Sequence, residues 1–324
     1  MLADLYLPEE SGLDAAGLPG LERLARFGRR TLLAEGWRAW LARAAGRTEL
    51  AAQAPASVAA LCSDEIHGEY LWLATPVHLL AGLTSLHLEQ RGLLRLPMPT
   101  LRVLAEDFSA VFSGAGFSLV PLASGGFLAV GPASCAAATR EPARCIGQDI
   151  GAALPASPAL RRLGAEMELW LHAHPVNLAR GERGELPIST LWLWGGGPPC
   201  GALAAATDQD AHLFGSDPYV DGLASANGVR AAALPNRVGD LLAATAQRVV
   251  IVLDLANETA GASFNVGAAL AALDARWILP AIKLAARGRI GSLRLLANDR
   301  CLSFTRSDHL RFWRPARRGL AGLA

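Results

Sequence analysis

Lysine is almost missing from this chain: of the 30 lysine and arginine residues, only Lys283 is a lysine. We read that as a bias of composition, not as chemistry. Cysteine is sparse too, five residues scattered at Cys62, Cys135, Cys145, Cys200 and Cys301. No pair has the C-x-x-C spacing of a structural zinc site, and an odd count excludes a complete disulfide framework. Free thiols in a reducing compartment are the simplest reading. Charge of either sign is not in excess: the formal net charge is +1, which gives no general pull toward nucleic acid or an anionic membrane. No stretch reaches the roughly 18 uninterrupted apolar residues that a spanning helix needs. The opening "MLADLYLPEE" carries Asp4 and two glutamates where a signal peptide has a basic region. The expectation is a cytoplasmic protein with neither a membrane nor a nucleic-acid partner.

What the chain does have is apolar material, 52% of 324 residues against 18% charged. That is enough for one large domain or two smaller ones. "AGLPGLERLARFGRRTLLAEGWRAWLARAAG" spaces leucines and tryptophans for one or two amphipathic helices. "MPTLRVLAEDFSAVFSGAG" predicts a helix beginning at Pro99–Thr100 and ending at glycine. "FSLVPLASGGFLAVGP" predicts two strands joined at Ser124-Gly125-Gly126. "SPALRRLGAEMELWLHAHPVN" predicts a helix capped by Ser157 and stopped at Pro175. "RVVIVLDL" reads as a strand buried on both faces. "AALDARWILPAIKLAARG" is a helix that Pro280 should kink or split. "GSLRLLANDRCLSFTRSDHLRFWRP" closes the chain as paired strands around Asn298-Asp299. Strands alternate with helices in the second half, so the expected class is α/β, with a mainly parallel sheet and flanking helices.

One segment stands out, "LHAHPVNLARGERGELPISTLWLWGGG", residues 171 to 197. His172 and His174 could share a metal on a strand, but they diverge at a helix end, and a metal site needs further ligands. A hydrogen-bonded histidine fixing the turn into Pro175 is the competing reading. Asn177 could cap that turn with its side-chain oxygen. Arg180 and Arg183 lie three apart and repel unless a carboxylate or phosphate sits between them. Glu182 or Glu185 could neutralise them from within; so could a bound anion. Gly195–Gly197 follows an apolar strand, as phosphate loops do, yet it runs into Pro198-Pro199 and lacks the G-K-[ST] of such loops. There is no G-x-S-x-G elbow. Asp254, Asp308 and His309 are weak metal candidates at strand ends, and Trp192 and Trp194 alternate onto one strand face, where burial is the default.

The stretch "HPVNLARGERGELP" resembles the H-P-V-N-x-x-R-x-x-x-G-x-x-P-A-N segment of archaeal-type cofactor-independent phosphoglycerate mutases, members of the alkaline-phosphatase superfamily. The matching positions are His174, Pro175, Asn177, Arg180, Gly184 and Pro187, with Ser189 where that family has asparagine. Upstream, "GQDIGAALPASPALRRLGAEMELWL" is similar to the latter part of the mutases' inserted domain. Over nearly the whole chain, through "TPVHL", "GGFLAVGP", "LHAHPVN", "LWLWGGG" and "LRFWRP", the sequence is similar to the bacterial "regulatory protein, RpfE type" family. The resemblance implies an alkaline-phosphatase-superfamily-like core at 1–105 and 190–324 with a smaller inserted α+β domain at 106–189.

Mutase chemistry uses two metal ions held by aspartates and histidines, and a serine that carries the phosphoryl group. "LADLYLPEESG" has no D-G metal motif, and "LANETAGASFN" after "VVIVLD" has no histidine. The expectation is therefore a catalytically degenerate relative with a regulatory or anion-binding role. Its anion candidates are His174, Asn177, Arg180 and Arg183, its partner a small phosphorylated ligand or a protein, and no metal cofactor is expected. The alternative is a phosphatase or mutase with a rebuilt Mn or Mg site drawing on His172, Asp254, Asp308 and His309. A third reading, a protein-interaction module, needs exposed Trp192 and Trp194.

Overall fold

The computed structural model describes residues 2–3, 17–62, 66, 68–82, 85–201, 203, 211–243, 248–253, 266–297, 299–311 and 313–314. In chain order the strands are β1 (Leu2–Ala3), β2 (Arg29–Leu32), β3 (Tyr70–Ala81), β4 (Leu86–Leu93), β5 (Ser118–Pro121) and β6 (Phe127–Gly131). They continue as β7 (Thr190–Gly197), β8 (Ala211–Phe214), β9 (Arg248–Leu253), β10 (Ser292–Ala297) and β11 (Arg300–Thr305). The helices are α1 (Pro19–Phe27), α2 (Gly36–Ala44), α3 (Pro55–Ala59), α4 (Met98–Phe112) and α5 (Pro158–His172). After them come α6 (Pro175–Glu182), α7 (Pro218–Ala226), α8 (Val266–Leu273) and α9 (Leu279–Ala286). The chain forms two compact units, one of Met1–Thr48, Asp208–Gly215 and Ala232–Ala324, the other of Glu49–Thr207 and Ser216–Ala231.

The first unit holds a six-stranded sheet in the order β2-β11-β10-β1-β9-β8. β8, β9, β1 and β10 pair in parallel with one another in that order; β11 pairs antiparallel with both β10 and β2. β9 sits between two parallel partners, which is why "RVVIVL" is apolar without alternation. Leu21 and Leu24 of α1, Leu270 of α8 and Ile282 of α9 pack with Leu253, Leu295 and Phe304 of the sheet. Pro280 is expected to kink or split its helix; the helical backbone instead runs on without a gap, with α8 ending at Leu273, a wider π-helical turn over Asp274–Ile278, and Pro280 in the first turn of α9. The proline lacks the N–H that the ladder would use there, and the wide turn before it, where the Leu279 amide bonds to Asp274 O, takes up the mismatch.

That wide turn points Asp274 inward. The residue is buried, and its carboxylate accepts the amides of Gly20 at 2.8 Å and Leu21 at 2.6 Å. These are free donors at the start of α1, whose own N-cap residue, Leu18, offers no side chain for the purpose. A distant carboxylate thus caps the helix. A Cβ on Gly20 would lie 2.5 Å from Asp274 Oδ1, so only glycine lets the two approach.

The second unit is built on a five-stranded sheet that is antiparallel throughout. β3 pairs with β6 over residues 70–74, with β7 over 71–77 and with β4 over 77–81. The β5–β6 hairpin forms at the glycine turn where the sequence places it. The expected mainly parallel sheet is therefore corrected: the fold is mixed α/β, and parallel pairing is confined to one half of the first unit's sheet. Hairpin turns permit antiparallel neighbours, whereas parallel ones need long crossovers, and this unit has the turns. β3 and β4, assigned from sequence to a core ending at 105, lie in this sheet, so the unit begins at Glu49 and not at 106. Both faces are covered. Leu191 and Leu193 pack under α4 and α5, while Trp192 and Trp194 pack with Leu71 and Leu73 on the other side. The two rings are buried, and their indole N–H groups donate to Arg140 O and Thr75 Oγ1. An interaction surface made of these tryptophans is not present. Among the described residues, no helix is long and apolar enough to cross a membrane.

Asp274→Ala leaves two buried amides without acceptors. It should destabilise the protein by about 2–4 kcal/mol, read as a lower urea midpoint by circular dichroism; an unchanged midpoint would show that α1 does not need the cap.

Candidate functional site

Helix α5 is set by its sequence. Ser157 Oγ accepts the Leu160 amide, and Pro158 follows at the first helical position. Leu160, Leu163, Met167 and Leu171, spaced three and four apart, turn one face onto β7. The helix ends at His172, which is exposed, and the chain bends through Ala173 to start α6 at Pro175.

His174 caps this second helix. Its Nδ1 accepts the Val176 amide at 3.2 Å, so Nε2 carries the hydrogen and donates to Asp107 Oδ2 on α4 at 3.1 Å. The ring is buried edge-on to Trp170, with centroids 4.9 Å apart. The capping role proposed for Asn177 is taken by His174 instead. Asn177 Nδ2 donates to Leu171 O (2.7 Å) and Ile188 O (2.9 Å), and Oδ1 accepts the Ile188 amide at 2.8 Å. One buried amide thus joins the end of α5 to the residue that leads into β7.

Arg180 and Arg183 come together as the spacing predicts, and Glu185 lies between them. Arg180 Nη1 reaches Glu185 Oε2 at 3.0 Å, and Arg180 Nε donates to Leu186 O at 2.8 Å. Arg183 Nε meets Glu185 Oε1 at 2.6 Å. The Arg183 hydrogen bond and the two positive charges hold the Glu185 carboxyl below its ordinary pKa. Next along the chain, Pro187 O receives His78 Nδ1, and Ser189 Oγ accepts the Leu79 amide. Ser189 stands where the resembling mutases carry asparagine and here helps to seat β7 against β3.

The triple glycine serves packing. Gly195 has φ +61°, and a Cβ on Gly196 would fall 2.6 Å from the Trp72 ring. The space a phosphate would occupy in a glycine cradle is filled by Trp72, Tyr70 and α3.

The metal candidates are not assembled. Among the described residues no group of three or more His, Cys, Asp or Glu side chains is placed to hold an ion. Asp254 lies outside the described residues. Asp308 caps the turn Arg306–Leu310, its Oδ2 accepting both the amide and the hydroxyl of Thr305 at 2.8 Å, and Oδ1 lies 2.9 Å from Arg311. Burial opposes its charge, but the Thr305 donors and the Arg311 and Arg29 guanidiniums prevail, so its pKa falls below the usual range. His309 follows in the same turn. Among the described residues the five cysteines are free thiols, three of them buried.

One feature of the second unit was not foreseen from sequence. A cavity of about 280 Å³ opens between α5, the segment around Ile150–Pro155 and the strands, walled mainly by leucines, Ile150, Met167 and Trp192. Gly164 and Glu168 line it from α5, and Thr139 lines it as well. A pattern that marks an amphipathic helix does not show whether the helix meets its sheet without a gap.

The chain matches no protein-family model and no curated protein. Two solved structures are similar to it over most of their lengths. The cofactor-independent phosphoglycerate mutase from Thermoplasma acidophilum DSM 1728 is 17% identical, with TM-score 0.38, covering 94% of this chain and 89% of that one. The PH0037 protein from Pyrococcus horikoshii is 14% identical, with TM-score 0.48, covering 99% and 90%. Likeness at this level transfers no residue's role.

Two outcomes follow. Asn177→Asp keeps the shape but turns a carboxylate toward two carbonyls, so it should destabilise at least as much as Asn177→Ala, by about 2–4 kcal/mol in thermal unfolding. If both variants melt with the wild type, the clasp does not hold the unit. For Asp308 the folded pKa is depressed, so its contribution is present above its ordinary value of 3.8 and lost as pH falls through the lower folded value. Asp308→Asn should be less stable than wild type by about 1–2 kcal/mol at neutral pH, and the gap should close in acid. A gap that stays constant down to pH ~2 would remove the charge from the account.

Proposed function

We propose that this chain is a catalytically degenerate relative of the phosphoglycerate mutases that acts as a regulatory binding protein. Its resemblance to the RpfE-type regulatory family suggests the same role. One observation carries the reading: the H-P-V-N-x-x-R segment binds the protein itself. His174 and Asn177 are on backbone groups and Asp107, and both arginines are on Glu185. An anion arriving here would have to displace a carboxylate that already neutralises two guanidiniums and is held at short range. Asp308, one of the alternative metal ligands, has Oδ2 on Thr305 and Oδ1 in an ion pair with Arg311. A phosphoryl transfer without positive charge at the leaving and attacking oxygens lacks its main source of stabilisation.

The test pairs activity with stability. Purified protein supplied with Mn²⁺ or Mg²⁺ should turn over no phosphoglycerate and no aryl phosphate, and neither compound should raise its melting temperature. Arg180→Ala should melt lower than wild type by roughly 5 °C with no ligand present, as a residue of the fold does. If the variant instead melts normally and loses a phosphoglycerate-dependent shift seen in the wild type, the arginines form an anion pocket. Turnover together with near-stoichiometric bound metal would establish the enzyme.

A further inference from the structure

We infer that the cavity beneath α5 is a binding site for a small amphiphilic amine, an apolar body of about two rings bearing one protonated nitrogen opposite Glu168. This names a ligand class for the binding role proposed above and rests on that reading.

The size sets the body. At about 280 Å³ the cavity is nearly twice the roughly 150 Å³ apolar cavity that accommodates one benzene ring. Its walls are those of a small-molecule pocket, apolar with a few polar groups. Leu154 on the lip is 54% exposed, an apolar side chain left in water beside an apolar opening.

Gly164 keeps the space open. It sits in the middle of α5, where glycine destabilises a helix by about 1 kcal/mol relative to alanine. A close approach usually explains such a residue, as it does at Gly20. At Gly164 an added Cβ would meet nothing within 4 Å, so no neighbour requires glycine here.

One polar group sets the head. Glu168 lies on the same face of α5, one turn beyond Gly164. No cation or donor among the described residues faces its carboxylate, and burial alone pushes its pKa up. Arg161, two turns earlier on α5 and also part of the lining, is turned to the carbonyls of Pro155 and Ala156. An exposed carboxylate with no counter-charge at an apolar mouth selects a cation with an apolar body over an anion or a neutral molecule.

Naphthylmethylamine, naphthalenemethanol and naphthylacetate share one body and differ in head charge, so calorimetric titration of the full chain with each separates the claims. The amine should bind saturably and about ten-fold tighter than the alcohol, with the acetate weakest. Glu168→Gln should bring the amine to the level of the alcohol and leave the alcohol unchanged. Gly164→Leu fills the cavity while improving helix propensity; it should weaken the amine at least about ten-fold without lowering the melting temperature. Equal affinity for all three probes, or no effect of Glu168→Gln, would overturn the amine assignment. Absence of saturable binding, or undiminished binding by Gly164→Leu, would overturn the site. Phosphoester turnover alongside amine binding would leave the site standing and remove only the non-catalytic reading.

Discussion

The second unit depends on a single buried amide. Asn177 cannot leave its donors and acceptor unmet in an apolar interior, and it meets them with the last turn of α5 and with Ile188, two residues before β7. That requirement fixes how far α5 stands from the strand it covers. The distance sets the depth of the cavity between them, and the Arg180–Glu185 pair folds the intervening loop back so that Ile188 can reach the amide. A hydrophobic face alone would press the helix down wherever it packed best; the hydrogen bonds choose one position from many.

The same economy recurs through the molecule. Polar side chains are scarce in a chain that is half apolar, and those that are buried do the joining. Asp274 caps α1 from across the first unit. Asp308 closes a turn with Thr305. His174 begins a helix and holds α4 with its other nitrogen. Each belongs to a residue type that also does catalysis and binds metals, because the property that suits it to a cap, a directional polar group beside a bend, is the property a reaction uses. A histidine before a proline at a helix boundary is therefore weak ground for chemistry until its partners are known.

Local structure was legible where local physics determines it. The Ser157 cap, the glycine hairpin between β5 and β6, the disturbed helix before Pro280 and the apolar run of β9 all follow from a few neighbouring residues. The intramolecular reading of the two arginines was also open, since Glu185 is two residues from Arg183. What sequence did not disclose was pairing at a distance. Whether β3 runs parallel or antiparallel to its partners depends on which turn closes first, and its three partners begin between 5 and 109 residues beyond its end. That Trp192 and Trp194 share a strand face was plain; that the opposite face of the same strand is also buried required α4 and α5 to be placed over it.

The cavity belongs to neither class. Nothing about "RRLGAEMELWL" distinguishes a helix packed without a gap from one standing off its sheet, because the gap is a property of three separate elements. Yet the sequence around it contains a local conflict whose meaning appears once the structure is known. A glycine interrupts an otherwise strong helix former, and a glutamate one turn later lies beside an apolar opening. The glycine weakens the folded state by its conformational freedom, and the glutamate brings a charge to an apolar edge without gaining a partner. Together they leave a space and a charge on one helix face. A fold that was only optimising its own stability would carry a larger side chain at Gly164 and a neutral one at Glu168, and neither change would disturb the clasp at Asn177.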